Sequence, residues 1–149
     1  QQSPFELSGG QKRRVAIAGV LAMHPEVLIL DEPTAGLDPK GRDEILDEIS
    51  ALHREHHMTI VLVSHSMEDI ARYADRIMVM NHGEKVFDAP PKEVFRHYKE
   101  LEAIGLAAPQ ITYIVQGLKE HGMPIADDIT TVAEAKDAIL QLLGKDERP

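Results

Sequence analysis

Residues Leu7–Pro33 read LSGGQKRRVAIAGVLAMHPEVLILDEP and join a helical pattern to a short apolar run. Apolar residues recur at helical spacing after Ser8, which is placed to cap a helix that ends near His24 and Pro25. The run EVLIL that follows is typical of a strand buried on both faces. A helix that leads into a buried strand predicts an α/β fold.

The same alternation continues downstream. Asp38 and Pro39 have the cap and first-position residues of a helix that is predicted to end near His56. TIVLVS, at 59–64, is a second predicted buried strand, and helix-connected strands are expected to pair in parallel. A short helix is predicted after Ser66. RIMVM and EKVFDA, joined by NHG, are then typical of a hairpin at the end of a sheet.

After Ala89–Pro91 the pattern becomes helical only. Three helical segments are predicted at 91–105, 108–122 and 130–144. The last begins with capping-box spacing from Thr131 to Glu134. We therefore predict an α/β part in residues 1–90, with parallel strands, flanking helices and a terminal hairpin, followed by a small helical extension in residues 91–149.

Composition narrows the functional classes. The chain has 149 residues, of which 43% are hydrophobic, and no stretch approaches the roughly 18 apolar residues that a membrane-spanning helix needs. It has no cysteine, which excludes disulfides and thiolate metal sites and fits a cytosolic protein. A formal net charge of -9 argues against a nucleic-acid partner. The basic run Lys12–Arg14 is interpreted as a solvated helix face.

Residues that could bind a ligand or act in catalysis are expected at one edge of the predicted sheet. Helices begin and parallel strands end at that edge, where open α/β sheets bind ligands. Ser8, Asp31, Glu32 and His65 should lie there. The glycines after Ser8 leave helix N–H groups open to a phosphate. One carboxylate of the Asp31–Glu32 pair could hold Mg²⁺, directly or through water, while the other accepts a proton from an attacking water.

Four motifs, in this order, resemble the second half of an ABC-type ATPase. LSGGQ resembles the family signature, VLILDEP its Walker B strand, AGLD its D-loop and VSH its switch-histidine strand. The resemblance implies that ATP and Mg²⁺ are the cofactors. It assigns Asp31 to the magnesium ion, through water, Glu32 to the role of general base and His65 to the γ-phosphate. Asp38 would link the two sites of a dimer.

The resemblance also implies an ATP contact for the signature, made to nucleotide held by a partner subunit. The residues concerned are Ser8, Gly9, Gly10 and Gln11. A phosphate loop of the form G-x-x-x-x-G-K-[ST] is absent, because the pair Gly144-Lys145 is followed by Asp146 and lacks the earlier glycine. The chain begins at Gln1 and is expected to be the C-terminal part of such an ATPase, inactive by itself.

Residues 104–135 resemble the C-terminal extension of the energy-coupling-factor ATPases, which include cobalt-importer and vitamin-importer subunits. In that group the extension helps to pair two ATPase subunits. The resemblance implies a peripheral subunit on the cytoplasmic face of the cell membrane that hydrolyses ATP to power uptake. Its partners would be transmembrane transporter subunits and a second ATPase subunit, identical or related. The cargo stays open between cobalt, nickel and a vitamin.

Two other functions are compatible with parts of the chain. Residues 91–149 could act as a dimerisation module without catalysis. An ABC ATPase of translation or DNA repair would share the four motifs, although the second ATPase module or long coiled coils of those groups are not visible here. The acidic composition also argues against these nucleic-acid-associated groups.

Overall fold

In the computed structural model, which describes residues 3–144, the chain divides into two units after His65. The first unit alternates helices with strands. Its elements are a short 3-10 helix at Pro4–Glu6, α1 at Gly9–Leu21, β1 at Val27–Asp31, α2 at Pro39–His56 and β2 at Thr59–Val63. The predicted order of helix, strand, helix and strand is confirmed.

Side-chain caps determine where the two long helices of this unit begin. The Ser8 hydroxyl accepts a hydrogen bond from the Gln11 N–H, and the Gln11 side chain accepts one from the Ser8 N–H at 2.9 Å, which forms a capping box. Asp38 caps α2 by accepting from the Gly41 N–H, and Pro39 occupies the first helical position. Loss of such a cap typically costs about 1 kcal/mol.

The two strands of the first unit pair in parallel, as predicted. Their register runs from Val27 opposite Thr59 to Asp31 opposite Val63. The Glu32 N–H then donates to the Val63 carbonyl at 2.9 Å, so the pairing extends one residue beyond β1. Both strands therefore end at the same edge of the sheet.

The expectation that both strands are buried on both faces is wrong. Leu28 is buried, whereas Ile29 is 68% exposed and Val27 is 53% exposed. In β2, Val61 and Val63 are also exposed. Successive strand residues point to opposite faces, and the described residues cover only one face of this sheet. A continuous apolar run therefore does not guarantee burial on both faces.

In its described residues, 66–144, the second unit contains a hairpin and five helices. Its elements are α3 at Met67–Tyr73, β3 at Ile77–Asn81, β4 at Glu84–Ala89, α4 at Pro91–Arg96, α5 at Tyr98–Ala103, α6 at Gln110–Glu120 and α7 at Val132–Leu142. β3 and β4 pair antiparallel through His82 and Gly83, whose φ angles of 49° and 84° suit a two-residue hairpin turn. The predicted hairpin is confirmed.

The hairpin is not the end of the first sheet, which corrects the prediction of its position. Among residues 3–144, β3 and β4 pair only with each other. Their inward residues Ile77 and Val79 are buried with Val94, Phe95 and Leu101 of the next two helices. These helices supply the apolar cover that a two-stranded hairpin needs for stability.

The predicted helix at 91–105 divides into α4 and α5 at His97, whose ψ of 33° departs from helical geometry. The other two predicted helices correspond to α6 and α7. A second apolar cluster joins Val115, Ile125, Ile129 and Ala135. The hairpin core includes residues on both sides of position 90. The predicted boundary between 1–90 and 91–149 stays a prediction.

An ion pair connects the start of α7 to α4. Glu134 accepts hydrogen bonds from the N–H groups of Thr130 and Thr131, and its other oxygen lies 2.8 Å from the Lys92 ammonium. Burial by itself raises the pKa of Glu134. The hydrogen bond from Lys92 and those from the two N–H groups outweigh this effect and lower the pKa to about 2. The folded state therefore favours the ionised carboxylate.

The backbone is unusual directly after β1. Glu32 has a φ of 46°, in the left-handed region that few residues other than glycine adopt. Its carbonyl accepts from the Ala35 N–H at 3.1 Å, and its N–H is bound to Val63. Such a conformation costs a non-glycine residue about 1–3 kcal/mol, and His24, His57 and His82 also adopt it.

Replacement of Glu134 by glutamine should make stability less dependent on pH. The variant keeps a capping oxygen but loses the charge, so its free energy of unfolding should fall by about 1 kcal/mol at pH 7. The folded pKa of about 2 lies below the ordinary value of 4.5. The contribution of the carboxylate is therefore complete above about pH 5 and disappears as the pH falls toward 2.

Urea unfolding of wild type and Glu134→Gln at pH 7 and pH 3 measures this effect. The difference between the two proteins should shrink at pH 3. Asp137→Asn removes an exposed carboxylate from the same helix and serves as the matched control, with little difference at either pH. An equal loss for Glu134→Gln at both pH values would contradict the prediction.

Glycine should be better tolerated than alanine at position 32. The left-handed backbone costs an L-residue about 1–2 kcal/mol, which exceeds the entropic penalty of glycine. Glu32→Gly should therefore have a free energy of unfolding about 0.5–1 kcal/mol above that of Glu32→Ala. At Glu48, inside α2, the order should reverse because glycine disfavours a helix. Denaturant unfolding of the four variants tests this, and the same order at both positions would refute it.

Candidate functional site

The carboxyl ends of β1 and β2 bring a carboxylate and an imidazole into contact. Asp31 is the last residue of β1 and Glu32 follows it, while His65 comes two residues after β2 ends. The His65 Nδ1 atom lies 2.8 Å from the Glu32 Oε1 atom. Sequence analysis expected both residues at this edge of the sheet, and the structure brings their side chains together.

The exposure of these side chains leaves room for a ligand. The His65 side chain is 83% exposed and that of Glu32 is 33% exposed, with Asp31 also exposed at the strand end. One Glu32 oxygen contacts His65, and the second carboxylate oxygen can accept a proton or a hydrogen bond from water. Access to water is compatible with a general base, and this role of Glu32 stays a prediction.

The signature residues lie at a second place in the first unit. Ser8, Gly9, Gly10 and Gln11 line a groove together with Leu37 and Asp38. A side-chain methyl group at Gly10 would lie 3.6 Å from the Leu37 side chain, in ordinary contact, whereas Gly9 faces open space. Gly9 and Gly10 begin α1, so their N–H groups are among those that a helix cannot bond internally. This is the kind of surface that binds an anion.

The predicted site residues therefore form two groups. Asp31, Glu32 and His65 share the strand edge, and the signature residues share the groove with Asp38. In the structure the side chains of Ser8, Gln11 and Asp38 are engaged in helix caps. The capping role inferred for Ser8 is confirmed, and the ATP-binding role of the groove residues stays a prediction.

Arg13 was missed by sequence analysis. Its Nη1 atom donates to the carbonyl of Pro33 and, at 2.9 Å, to the carbonyl of Ala35. Arg14 forms an ion pair with Glu44 of α2. The interpretation of Lys12–Arg14 as a solvated face is thus incomplete, because Arg13 is partly buried against backbone carbonyls, whereas Arg14 is 41% exposed in its ion pair. The acceptors of Arg13 are backbone carbonyls, which every sequence supplies, so residue spacing gives no sign of this contact.

The magnesium assignment to Asp31 fits the local chemistry. Mg²⁺ is usually bound in proteins by one or two carboxylates together with waters and substrate phosphates. Asp31 offers an exposed carboxylate beside Glu32 at the end of β1. Within residues 3–144, no three histidine, aspartate or glutamate side chains are arranged to hold a metal ion by themselves.

Comparison with known sequences gives a consistent set of relatives. The sequence model of the ABC transporter family matches residues 1–35. The energy-coupling factor transporter ATP-binding protein EcfA2 of Clostridium tetani is 62% identical over 143 residues, which are 96% of this chain and 50% of the relative. The EcfA2 protein of Clostridium perfringens is 60% identical over 95% of this chain and 50% of its own length. The chain spans about half the length of these curated relatives.

Solved structures agree with the sequence matches. The protein cbiO1 from Clostridium perfringens, described as part of the ABC transporter complex cbiONQ, aligns with a TM-score of 0.60 and 42% identity over 76% of this chain and 45% of its own. An ABC transporter in an inward-facing conformation aligns with a TM-score of 0.64 and 25% identity over 70% of this chain and 41% of its own. The predicted fold class is thereby confirmed. The chain belongs to the ABC transporter ATP-binding family and is similar to the C-terminal part of its energy-coupling-factor members.

Proposed function

We propose that this chain forms the signature and Walker B part of an ATP-hydrolysing subunit of an energy-coupling-factor importer. The observation that carries the proposal is the contact of Glu32 with His65, beside Asp31, at the carboxyl ends of two parallel strands. The identity of 62% to an energy-coupling factor transporter ATP-binding protein supports the same function. The cargo would be a metal ion such as cobalt, or a vitamin.

Glu32 acts as the general base in this proposal. Its carboxylate accepts a proton from water as the water attacks the terminal phosphorus of ATP, and the bond from that phosphorus to the bridging oxygen breaks, so that ADP and phosphate are the products. The Nδ1 atom of His65 faces Glu32 and donates to its carboxylate, which leaves Nε2 to meet a phosphate oxygen; Nε2 donates to that oxygen when the ring carries both protons. Asp31 would hold Mg²⁺, through water, at the strand end, and the ion would supply neutralisation of the phosphate charge. Most of the rate acceleration then comes from positioning and charge stabilisation.

A second ATPase subunit completes the proposed site. Ser8, Gly9, Gly10 and Gln11 would meet nucleotide held by that subunit, and Asp38 would link the two sites. The resemblance of residues 104–135 to the C-terminal extension of energy-coupling-factor ATPases supports pairing of subunits through residues 91–149.

The proposed location is the cytoplasmic face of the cell membrane, with transport through separate transmembrane subunits. Within residues 3–144 the structure has no helix long and apolar enough to cross a bilayer. The acidic balance of the chain gives no support to a nucleic-acid partner. In this proposal the energy of ATP hydrolysis reaches the cargo through protein contacts with the membrane subunits.

Substitution of Glu32 by glutamine should separate ATP binding from hydrolysis. In the full-length gene product, kcat should fall by about 10²–10⁴-fold because an amide cannot accept the proton from water. Binding of ATP should persist, and light scattering should detect a longer-lived ATP-bound dimer. Steady-state phosphate release and equilibrium nucleotide binding are the measurements. This chain alone should release no phosphate, because it lacks a phosphate loop.

Glu26→Gln provides the matched control. Glu26 is an exposed carboxylate just before β1, so the same chemical change is made at the opposite end of the strand. Its kcat should equal that of wild type. Wild-type turnover by Glu32→Gln, or ATP hydrolysis by this chain alone at a rate comparable to the full-length protein, would overturn the proposed function.

A further inference from the structure

We propose that Arg13 is a positioning residue for ATP hydrolysis, because it holds the loop that presents Glu32. This inference rests on the proposed function and extends it to a residue of α1 that does not contact the reacting groups. The loop, residues 32–38, connects β1 to α2 and contains both Glu32 and Asp38. The side chain of Arg13 reaches this loop from 20 residues earlier in the chain.

The hydrogen bonds from Arg13 hold one turn of the loop in place. A single guanidinium nitrogen, Nη1, donates to the carbonyls of Pro33 and Ala35, the latter at 2.9 Å. Thr34, between these acceptors, is 7% exposed. The loop has two further internal hydrogen bonds, from Ala35 N–H to Glu32 and from Leu37 N–H to Thr34. Arg13 therefore supplies the contact that ties this turn to α1.

Strain at Glu32 explains why the loop needs such a contact. A non-glycine residue with a φ of 46° is stable only when its surroundings hold it there. The Glu32 N–H is held by Val63, and the Glu32 carbonyl by Ala35. Arg13 restrains the next part of the chain, through the carbonyls of Pro33 and Ala35. Without Arg13 the loop can relax, and the carboxylate then loses its fixed position.

The same helix also begins in the groove lined by the signature residues. Ser8 caps α1, and Arg13 lies five residues later on that helix. A ligand that contacts the groove would meet the loop directly at Leu37 and Asp38, and it would also be connected to Pro33 and Ala35 through α1 and the Arg13 guanidinium group. Small displacements of catalytic groups are costly, since a shift of about 1 Å can lower a rate by roughly 10²-fold.

Three variants of the full-length protein test the inference. Arg13→Gln removes the positive charge and replaces the guanidinium group with an amide on a shorter side chain. Arg13→Lys keeps a positive charge on a group that can donate to both carbonyls. Lys12→Gln makes the same change in charge at the adjacent, exposed position of α1 and is the matched control. The measurements are kcat and KM for ATP, and hydrogen–deuterium exchange of peptides that cover residues 32–38.

Arg13→Gln should lower kcat by about tenfold or more, with KM for ATP within about twofold of wild type. A residue that contacts the loop and not the nucleotide affects the chemical step rather than binding. Exchange should accelerate in peptides covering 32–38 relative to Lys12→Gln. Arg13→Lys should recover a large part of both the rate and the protection of the loop.

Three results would overturn the inference. Arg13→Gln could match Lys12→Gln in both kcat and loop exchange. KM could rise at unchanged kcat, which would assign Arg13 to nucleotide binding. Exchange could accelerate throughout the first unit without rescue by lysine, which would mean a general folding role. If the wild-type protein does not hydrolyse ATP, the proposed function fails, while loop exchange still decides whether Arg13 holds residues 32–38.

Discussion

Parallel pairing of β1 with β2 is the constraint on which the candidate site depends. The register places Asp31 opposite Val63, and the Glu32 N–H adds one further bond to the Val63 carbonyl. The chain therefore leaves both strands at one edge, and side chains 33 residues apart meet at 2.8 Å. A slip of one residue would turn every side chain of a strand to the other face, so the register determines whether Glu32 can reach His65.

The backbone at Glu32 departs from the conformation that an L-residue prefers. In a regular strand Asp31 and Glu32 would point to opposite faces of the sheet. The left-handed conformation at Glu32 ends the strand and starts the loop toward α2. Natural sequences keep such local conflicts mainly where a site requires them. The conflict here falls on the residue that the motif resemblance assigns as the base.

Local signals explain which parts of the fold could be predicted from sequence. The caps at Ser8, Asp38 and Thr131 act over three residues, so they are visible as spacing in the chain. The predicted helix between the first two strands indicated that these strands pair in parallel. The hairpin turn at His82 and Gly83 was also a local pattern.

Features that depend on the tertiary environment could not be predicted in the same way. Ile29 belongs to an apolar run and is nevertheless exposed, because burial depends on what covers a face of the sheet and not on the run itself. His97 interrupts a continuous helical pattern without any proline or glycine. Arg13 binds carbonyls 20 and 22 residues away, and only the fold brings them near. The motif residues could be predicted from the sequence, whereas the contact by which Arg13 holds the loop that contains Glu32 could not.

The carboxylates of the chain differ in the groups that bind them. Hydrogen bonds from Arg76 and Lys85 lower the pKa of Asp88 to about 2. Burial raises the pKa of Glu134, but hydrogen bonds from Lys92 and two backbone N–H groups outweigh burial and lower it to about 2. Both carboxylates are bound by lysine or arginine side chains within the second unit. Glu32 contacts a largely exposed imidazole and has a second oxygen that can accept from water. The position of the Glu32 carboxylate depends on the parallel strands, the left-handed turn and the loop bound by Arg13.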